Sequence, residues 1–122
     1  MEVSAMEFER NRLYDAARHF FEVAERSAMK LSADAAIAVC KEASNHGLVV
    51  SRIEGGVWHN PGFEARLDCI WDGVDPPLSA EEAEVNNVQA IDFICRERDE
   101  HGAFIITAPP ITGWPHTNQI DG

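Results

Sequence analysis

The sequence predicts an α+β domain: a mainly antiparallel sheet of three to four strands with helices packed on one face, in the order α-α-β-β-β-α-β. Three observations carry this reading. Two stretches, Ser32 to Gly47 and Ser79 to Gly102, open on a helix-capping residue, hold apolar residues at helical spacing and close on glycine. A third, Phe63 to Asp72, alternates with a period of two, as a half-buried strand does. Between them Gly55-Gly56 and Asn60-Pro61-Gly62 punctuate the chain like hairpin turns. Helices and strands that segregate along a chain, instead of alternating regularly, favour α+β over α/β architecture.

The first element spans about Ala5 to Ser27. Met6, Leu13, Ala17, Phe20 and Ala24 fall on one helical stripe, flanked by Tyr14 and Phe21. An aromatic stripe of this kind must be buried, either on its own domain or against another copy of the chain. The second helix, Ala33 to His46, has Ser32 as N-cap, Asp34 in the first turn, where the helix dipole favours an acid, and Gly47 at the left-handed C-terminal position. Ala36, Val39, Cys40 and Ala43 give it a narrow face of small side chains. Leu48 to Ile53 then reads as a first strand, Val57 to His59 as a short second one after a Gly-Gly turn, and Phe63 to Asp72 as a third. On that third strand Phe63, Ala65, Leu67, Cys69 and Trp71 are expected to face the core, with Glu64, Arg66, Asp68, Ile70 and Asp72 in solvent.

Asp75-Pro76-Pro77-Leu78 forbids helix, and Ser79 with Glu82 three residues on forms a capping box that starts a third helix, running to about Glu100. Val88, Ile91 and Cys95 are its expected inner stripe, with Val85 and Ile94 at the margins. Asn86-Asn87 is expected to hold the Pro76–Ser79 linker through side-chain hydrogen bonds. Ala103 to Ala108 is an apolar strand suited to a central position, and the chain after Pro110 is turn-rich. The expected divisions are an N-terminal helical extension (1–28), the α+β domain (29–108) and an irregular tail (109–122).

Composition narrows function. The 122 residues carry a formal charge of −11, with 45% hydrophobic residues, enough for a single core. An acidic chain lacks the clustered Lys and Arg that neutralise phosphates, so a nucleic acid is not the expected direct partner. No apolar run reaches membrane-spanning length and the N-terminus lacks the pattern of a secretory signal, so a cytoplasmic protein is expected. Cys40, Cys69 and Cys95 show no metal-ligand spacing and are expected to be buried free thiols; neither metal nor cofactor is expected. Between Glu54 and Glu84 eight acidic residues stand against Arg66 alone, a net −7. Charge this concentrated suits the meeting of a basic partner better than it suits stability. Glu54, Glu64, Asp68, Asp72 and Asp75 are the candidate partner-binding carboxylates, with Trp58 as a stacking anchor. Against an enzyme stands the lack of a nucleophile elbow, a phosphate loop or metal spacing. His59 near Glu64 and Asp68 is the remaining acid–base candidate, and no catalytic residue is assigned.

From Met29 onward the chain, M-K-L-S-A-D-A-A-I-A-V-C-K-E-A-S-N-H-G-L, resembles the immunity proteins of tRNA-cleaving E-group colicins of the E5 type. The likeness continues through Gly55-Gly56, Trp58, Asn60-Pro61-Gly62-Phe63, Trp71, Pro76, Asn86-Asn87, Ala90-Ile91 and Ala103-Phe104-Ile105-Ile106-Thr107. This resemblance implies an inhibitor that binds the basic ribonuclease domain of a toxin one to one, its carboxylates standing in for the phosphates of the anticodon loop. The toxin would be a tRNase delivered by a bacteriocin or by contact-dependent growth inhibition. The chain departs from the pattern in residues 1–28, in the tail and at many charged positions of the meander. The competing readings are an acidic interaction domain or a subunit self-associated through the N-terminal helix.

Overall fold

The computed structural model describes residues 9, 11–22, 28–59 and 62–113. Its elements run β1 (Leu13–Tyr14), α1 (Ala17–Glu22), β2 (Lys30–Leu31), α2 (Ala33–Ala43), β3 (Arg52–Trp58), β4 (Phe63–Asp72), α3 (Ala80–Glu97) and β5 (Ala103–Thr107), with a 3-10 turn at Ser44–His46 following α2. The strands form one sheet in the order β1-β2-β5-β3-β4. It is antiparallel except where β1 lies beside β2. The predicted α+β class with a mainly antiparallel sheet therefore holds; two strands of two residues each raise the count to five.

The cap chemistry read from sequence sets both long helices. Ser32 Oγ accepts the Ala35 N–H at 3.2 Å, and Gly47 closes the 3-10 turn at φ 71°. At α3 the box is reciprocal: Glu82 N–H donates to Ser79 Oγ at 3.1 Å and Ser79 N–H to Glu82 Oε1 at 2.8 Å. Ala36, Val39, Cys40 and Ala43 are buried, and their small side chains let α2 approach α3 and β5 closely. Together the helices cover the sheet face that carries Ile53, Phe104 and Ile106, all without solvent exposure. β5 is central, as its apolar sequence requires.

Four expectations are overturned in detail. Among the described residues of the N-terminal segment the single helix is replaced by β1 and the short α1; of the predicted stripe, Met6 and Ala24 lie outside them. Ser32 N–H donates to Tyr14 C=O at 2.8 Å, so β1 satisfies backbone groups beside β2 that a helix would leave unpaired. Tyr14 and Phe20 belong to the core of the domain itself, and Phe21 stacks on His46 at 3.9 Å between ring centroids.

Gly55-Gly56 is not a turn. β3 runs through it in unbroken register with β5, so the predicted first and second strands are one. Neither glycine is among the positive-φ ones; here smallness is what the residue supplies. A Cβ on Gly55 would collide with Cys69 Sγ and press on the Phe104 ring, and one on Gly56 would collide with the Glu64 carbonyl and the Phe63 ring. Upstream, Leu48 to Ser51 are not in the strand. They pair with the chain after β5 on one side, Val49 N–H to Pro109 C=O at 3.0 Å, and with α3 side chains on the other.

The alternation of β4 breaks in the middle. Glu54 pairs Ile70 while Gly56 pairs Ala65, so residues 66–69 face Gly55 alone and form a bulge. Three extra residues are an odd number, and an odd shift exchanges the two faces of a strand. Of the five residues expected in the core only Cys69 is buried; Phe63 and Trp71 are half-buried, Ala65 is exposed, and Leu67 is 88% exposed at the bulge. The Asn60-Pro61 part of the turn that precedes β4 lies outside the described residues.

On α3 the buried face is Ala83, Asn86, Asn87, Ala90, Phe93 and Ile94, not the Val88–Ile91–Cys95 stripe: Ile91 is only partly buried, and Val85, Val88 and Cys95 are exposed. Two asparagines displace valines from the interior because the backbone opposite needs partners. Asn87 Oδ1 accepts the Val50 N–H at 2.9 Å, Asn86 Nδ2 donates to Val50 C=O at 2.8 Å, and Asn86 Oδ1 accepts the Val74 N–H at 2.9 Å. The pair thus holds the chain entering β3 and leaving β4, just before the Pro76–Ser79 linker to which it was expected to bind.

Candidate partner-binding surface

Alternation along β3 sends Ile53 and Gly55 to the core face and Arg52, Glu54, Gly56 and Trp58 to the opposite one. Register then sets their neighbours: Arg52 stands between Asp72 and Thr107, Glu54 between Ile70 and Ile105, and Trp58 opposite Phe63. β4 is the sheet edge, so the whole β3–β4 hairpin is accessible along one side.

The six predicted residues all lie on or just beyond this hairpin, but they do not converge. Glu54 and Asp72 are joined through Arg52, whose Nη1 is 2.7 Å from Asp72 Oδ1 and whose Nε is 3.4 Å from Glu54 Oε2. Glu64 forms a second group, 2.7 Å from His59 Nε2 and 3.3 Å from Arg66 Nη2. The His59 hydrogen bond first, and then the Arg66 charge, hold the Glu64 carboxyl below the ordinary carboxylate range. That small exposed contribution is present above the range of a free glutamate and fades as pH falls through the depressed one. Asp68 sits on the bulge beside Leu67. Asp75 follows β4 and, with Glu81 and Glu82, rims an apolar groove of about 520 Å³ floored by Val74, Pro77, Leu78 and Val85. Among the described residues Asp68, Asp75 and Glu81 meet no cation at ion-pair distance. Trp58 is half-buried at the end of β3.

Part of the predicted acidity is thus neutralised within the fold, by Arg52 and Arg66, although Arg52 serves two carboxylates and leaves that group net negative; the rest of the hairpin's negative charge lies at the bulge and at the groove. His59 and Glu64, the acid–base candidates, are both more than 45% exposed, at 60% and 49% of their side chains.

The Colicin-E5 Imm protein family matches residues 29–109. The chain belongs to this family of colicin-E5 immunity proteins. The immunity protein CdiI of Burkholderia pseudomallei is 59% identical over 109 residues, 89% of this chain and 100% of the relative. The colicin-E5 immunity protein of Escherichia coli is 43% identical over 81 residues, 65% of this chain and 96% of the relative. A colicin-E5 immunity protein carried in ColE9 of the same organism matches to the same extent. Immunity proteins of this family are inhibitors and not enzymes, which removes the catalytic reading of His59. Among the described residues no helix is long and apolar enough to cross a membrane.

Within this colicin-E5 immunity family member, several surface features escaped the sequence reading. Leu67, Val74, Val85 and Val88 are exposed apolar side chains that periodicity or turn chemistry left unassigned or placed inside. For Leu67 the signal was absent, because nothing local marks the bulge. For Val85 and Val88 it was absent too, because Asn86 and Asn87 take the buried face to serve the Val50 and Val74 backbone, which lies on other segments. Burial pushes the Cys40 thiol up to about 12, so it is chemically quiet.

Proposed function

We propose that this chain neutralises a cognate tRNase toxin domain, one to one and in the cytoplasm, by covering the toxin's tRNA-binding cleft with the acidic β3–β4 hairpin. The observation that supports this most is the exposure of that hairpin at the sheet edge, with Asp68 and Asp75 meeting no cation among the described residues and Leu67 exposed beside Asp68 on the bulge. Unpaired carboxylates set the long-range field that draws in a basic protein, raising association toward about 10⁸–10⁹ M⁻¹s⁻¹ at low salt. Glu54, Asp72 and Glu64 act at short range. Their present partners Arg52 and Arg66 are on exposed surface pairs of small worth, so guanidinium groups of the toxin can compete for the same oxygens. Trp58 supplies stacking area at the hairpin end. Residues 29–108 carry all of these groups, and the names of the relatives, colicin immunity and CdiI, support the toxin-directed reading.

The test is protection. The toxin domain encoded beside this gene is expressed with and without the immunity protein, and tRNA integrity is followed together with co-purification. Intact tRNA only in the presence of the protein, with a stable complex, is the expected result. Cleavage in both cases with no complex overturns the proposal; a complex that protects some substrate other than tRNA overturns its tRNase part alone.

A further inference from the structure

The bulge of β4 and the end of α3 bring together three side chains that nothing in the immunity reading uses. Cys69, the last residue of the bulge, is fully buried on the helix side of the sheet, and Gly55 opposite it lacks the Cβ that would occupy the position of its Sγ. Glu97 ends α3. His101 follows one turn later, its N–H donating to Glu97 C=O at 2.9 Å, so the two side chains share a face. Cys69 Sγ, a Glu97 carboxylate oxygen and a His101 ring nitrogen all lie within 4.8 Å of one another.

A second observation is independent of this clustering. His101 is 8% exposed, and its Nδ1, buried and directed at the cluster, has no hydrogen-bond partner. It stands 3.1 Å from Glu97 Oε1 but without the alignment of a hydrogen bond. A buried imidazole nitrogen held only by a misaligned contact is poorly satisfied, and a metal ion would supply an aligned partner.

We propose that Cys69, Glu97 and His101 form a binding site for a single Zn²⁺ ion. One thiolate, one imidazole and one carboxylate are the donor types zinc takes in proteins, and three protein ligands leave its fourth position to water. Around a tetrahedral zinc, donor atoms stand roughly 3.2–3.8 Å apart at ordinary bond lengths. The Glu97–His101 pair already stands at 3.1 Å, and small side-chain shifts from the upper spacing of 4.8 Å would close the rest; Glu97, 30% exposed, links the site to solvent. Binding displaces the thiol proton to solvent. Its structural effect is to tie the end of α3 to the bulge that carries Leu67 and Asp68, so the ion stiffens the surface proposed to meet the toxin. The site itself does not depend on that reading.

The test uses the untagged full chain in a Cys95→Ser background, which removes the exposed thiol. Titration calorimetry with Zn²⁺ and absorption spectra with Co²⁺ are recorded, along with the thermal midpoint. The expected results are one ion per chain, a thiolate-to-cobalt charge-transfer band with tetrahedral visible bands, and a midpoint that rises with zinc. Cys69→Ser loses the charge-transfer band; Glu97→Gln, changed at a partly exposed side chain and keeping its shape, weakens zinc binding. Absence of the band in the unmutated site means a plain Cys–Glu–His contact and overturns the proposal. So does a band or a zinc-induced midpoint rise that survives both substitutions. Should Cys69→Ser fail to fold, the spectrum of the intact site and the Glu97→Gln titration still decide.

Discussion

At Gly55 a single missing side chain determines how β3 and β4 meet. Any β-carbon there collides with Cys69 Sγ and crowds the Phe104 ring, and these neighbours sit on two different strands. Gly55→Ala is expected to destabilise the fold by about 1–3 kcal/mol, the range for overpacking a well-filled interior. Cys69→Ala in the same chain should recover part of that loss, because it removes the nearest obstacle. Urea unfolding of the two single variants and the double variant measures the coupling; strictly additive losses would show that the Phe104 ring, not the thiol, sets the limit. Asn86 and Asn87 teach a related lesson. They are buried because backbone groups at Val50 and Val74 need partners, a demand no local rule in their own helix expresses.

Among the elements, the N-terminal segment shows where periodicity alone misleads. Leu13, Tyr14 and Phe20 fit a helical stripe, and the chain does bury Tyr14 and Phe20, but by way of a two-residue strand followed by a short helix. Burial was legible there; the backbone path was not, since an aromatic residue packs inward from either conformation. The segment lies before the matched family region at 29–109, yet it completes the core over β2. A chain shortened to residues 29–109 is therefore expected to lose stability by about 3–6 kcal/mol before any entropy gain from leaving the segment unordered, from two large aromatic side chains at about 1.5–3 kcal/mol each. Thermal unfolding checks this. An unchanged midpoint would make the segment an appendage with no part in the core. The capped helices behaved differently. Ser32, Gly47, Ser79 and Glu82 perform the local roles their sequence positions assign, because capping is decided within one turn of the chain.

For the whole molecule the charge of −11 matters through where it is left unpaired. Arg52 and Arg66 engage Glu54, Asp72 and Glu64, three acids on two cations, so the field of the hairpin comes from the one charge left there together with Asp68 and with Asp75 beside Glu81. Reversing Asp68 and Asp75 together to Lys is expected to slow association with the toxin about 10-fold or more at low salt, and to flatten the dependence on ionic strength. Both side chains are exposed, so the unfolding midpoint should stay in place. Stopped-flow rates over a salt series test this, and a rate unchanged by the reversal would remove electrostatic steering from the mechanism.

By itself the sequence determined the α+β class, the caps of both long helices, the central place of β5 and the acidic character of the hairpin, since each follows from interactions within a few residues or from composition. Tertiary structure alone decided that Gly55-Gly56 is strand, that β4 bulges at 66–69 and exposes Leu67, and that the asparagines of α3 are inside. It also brought Cys69 to Glu97 and His101. Each of these depends on what the opposite strand or helix presents, and contacts between residues far apart along the chain leave no periodic trace in either partner.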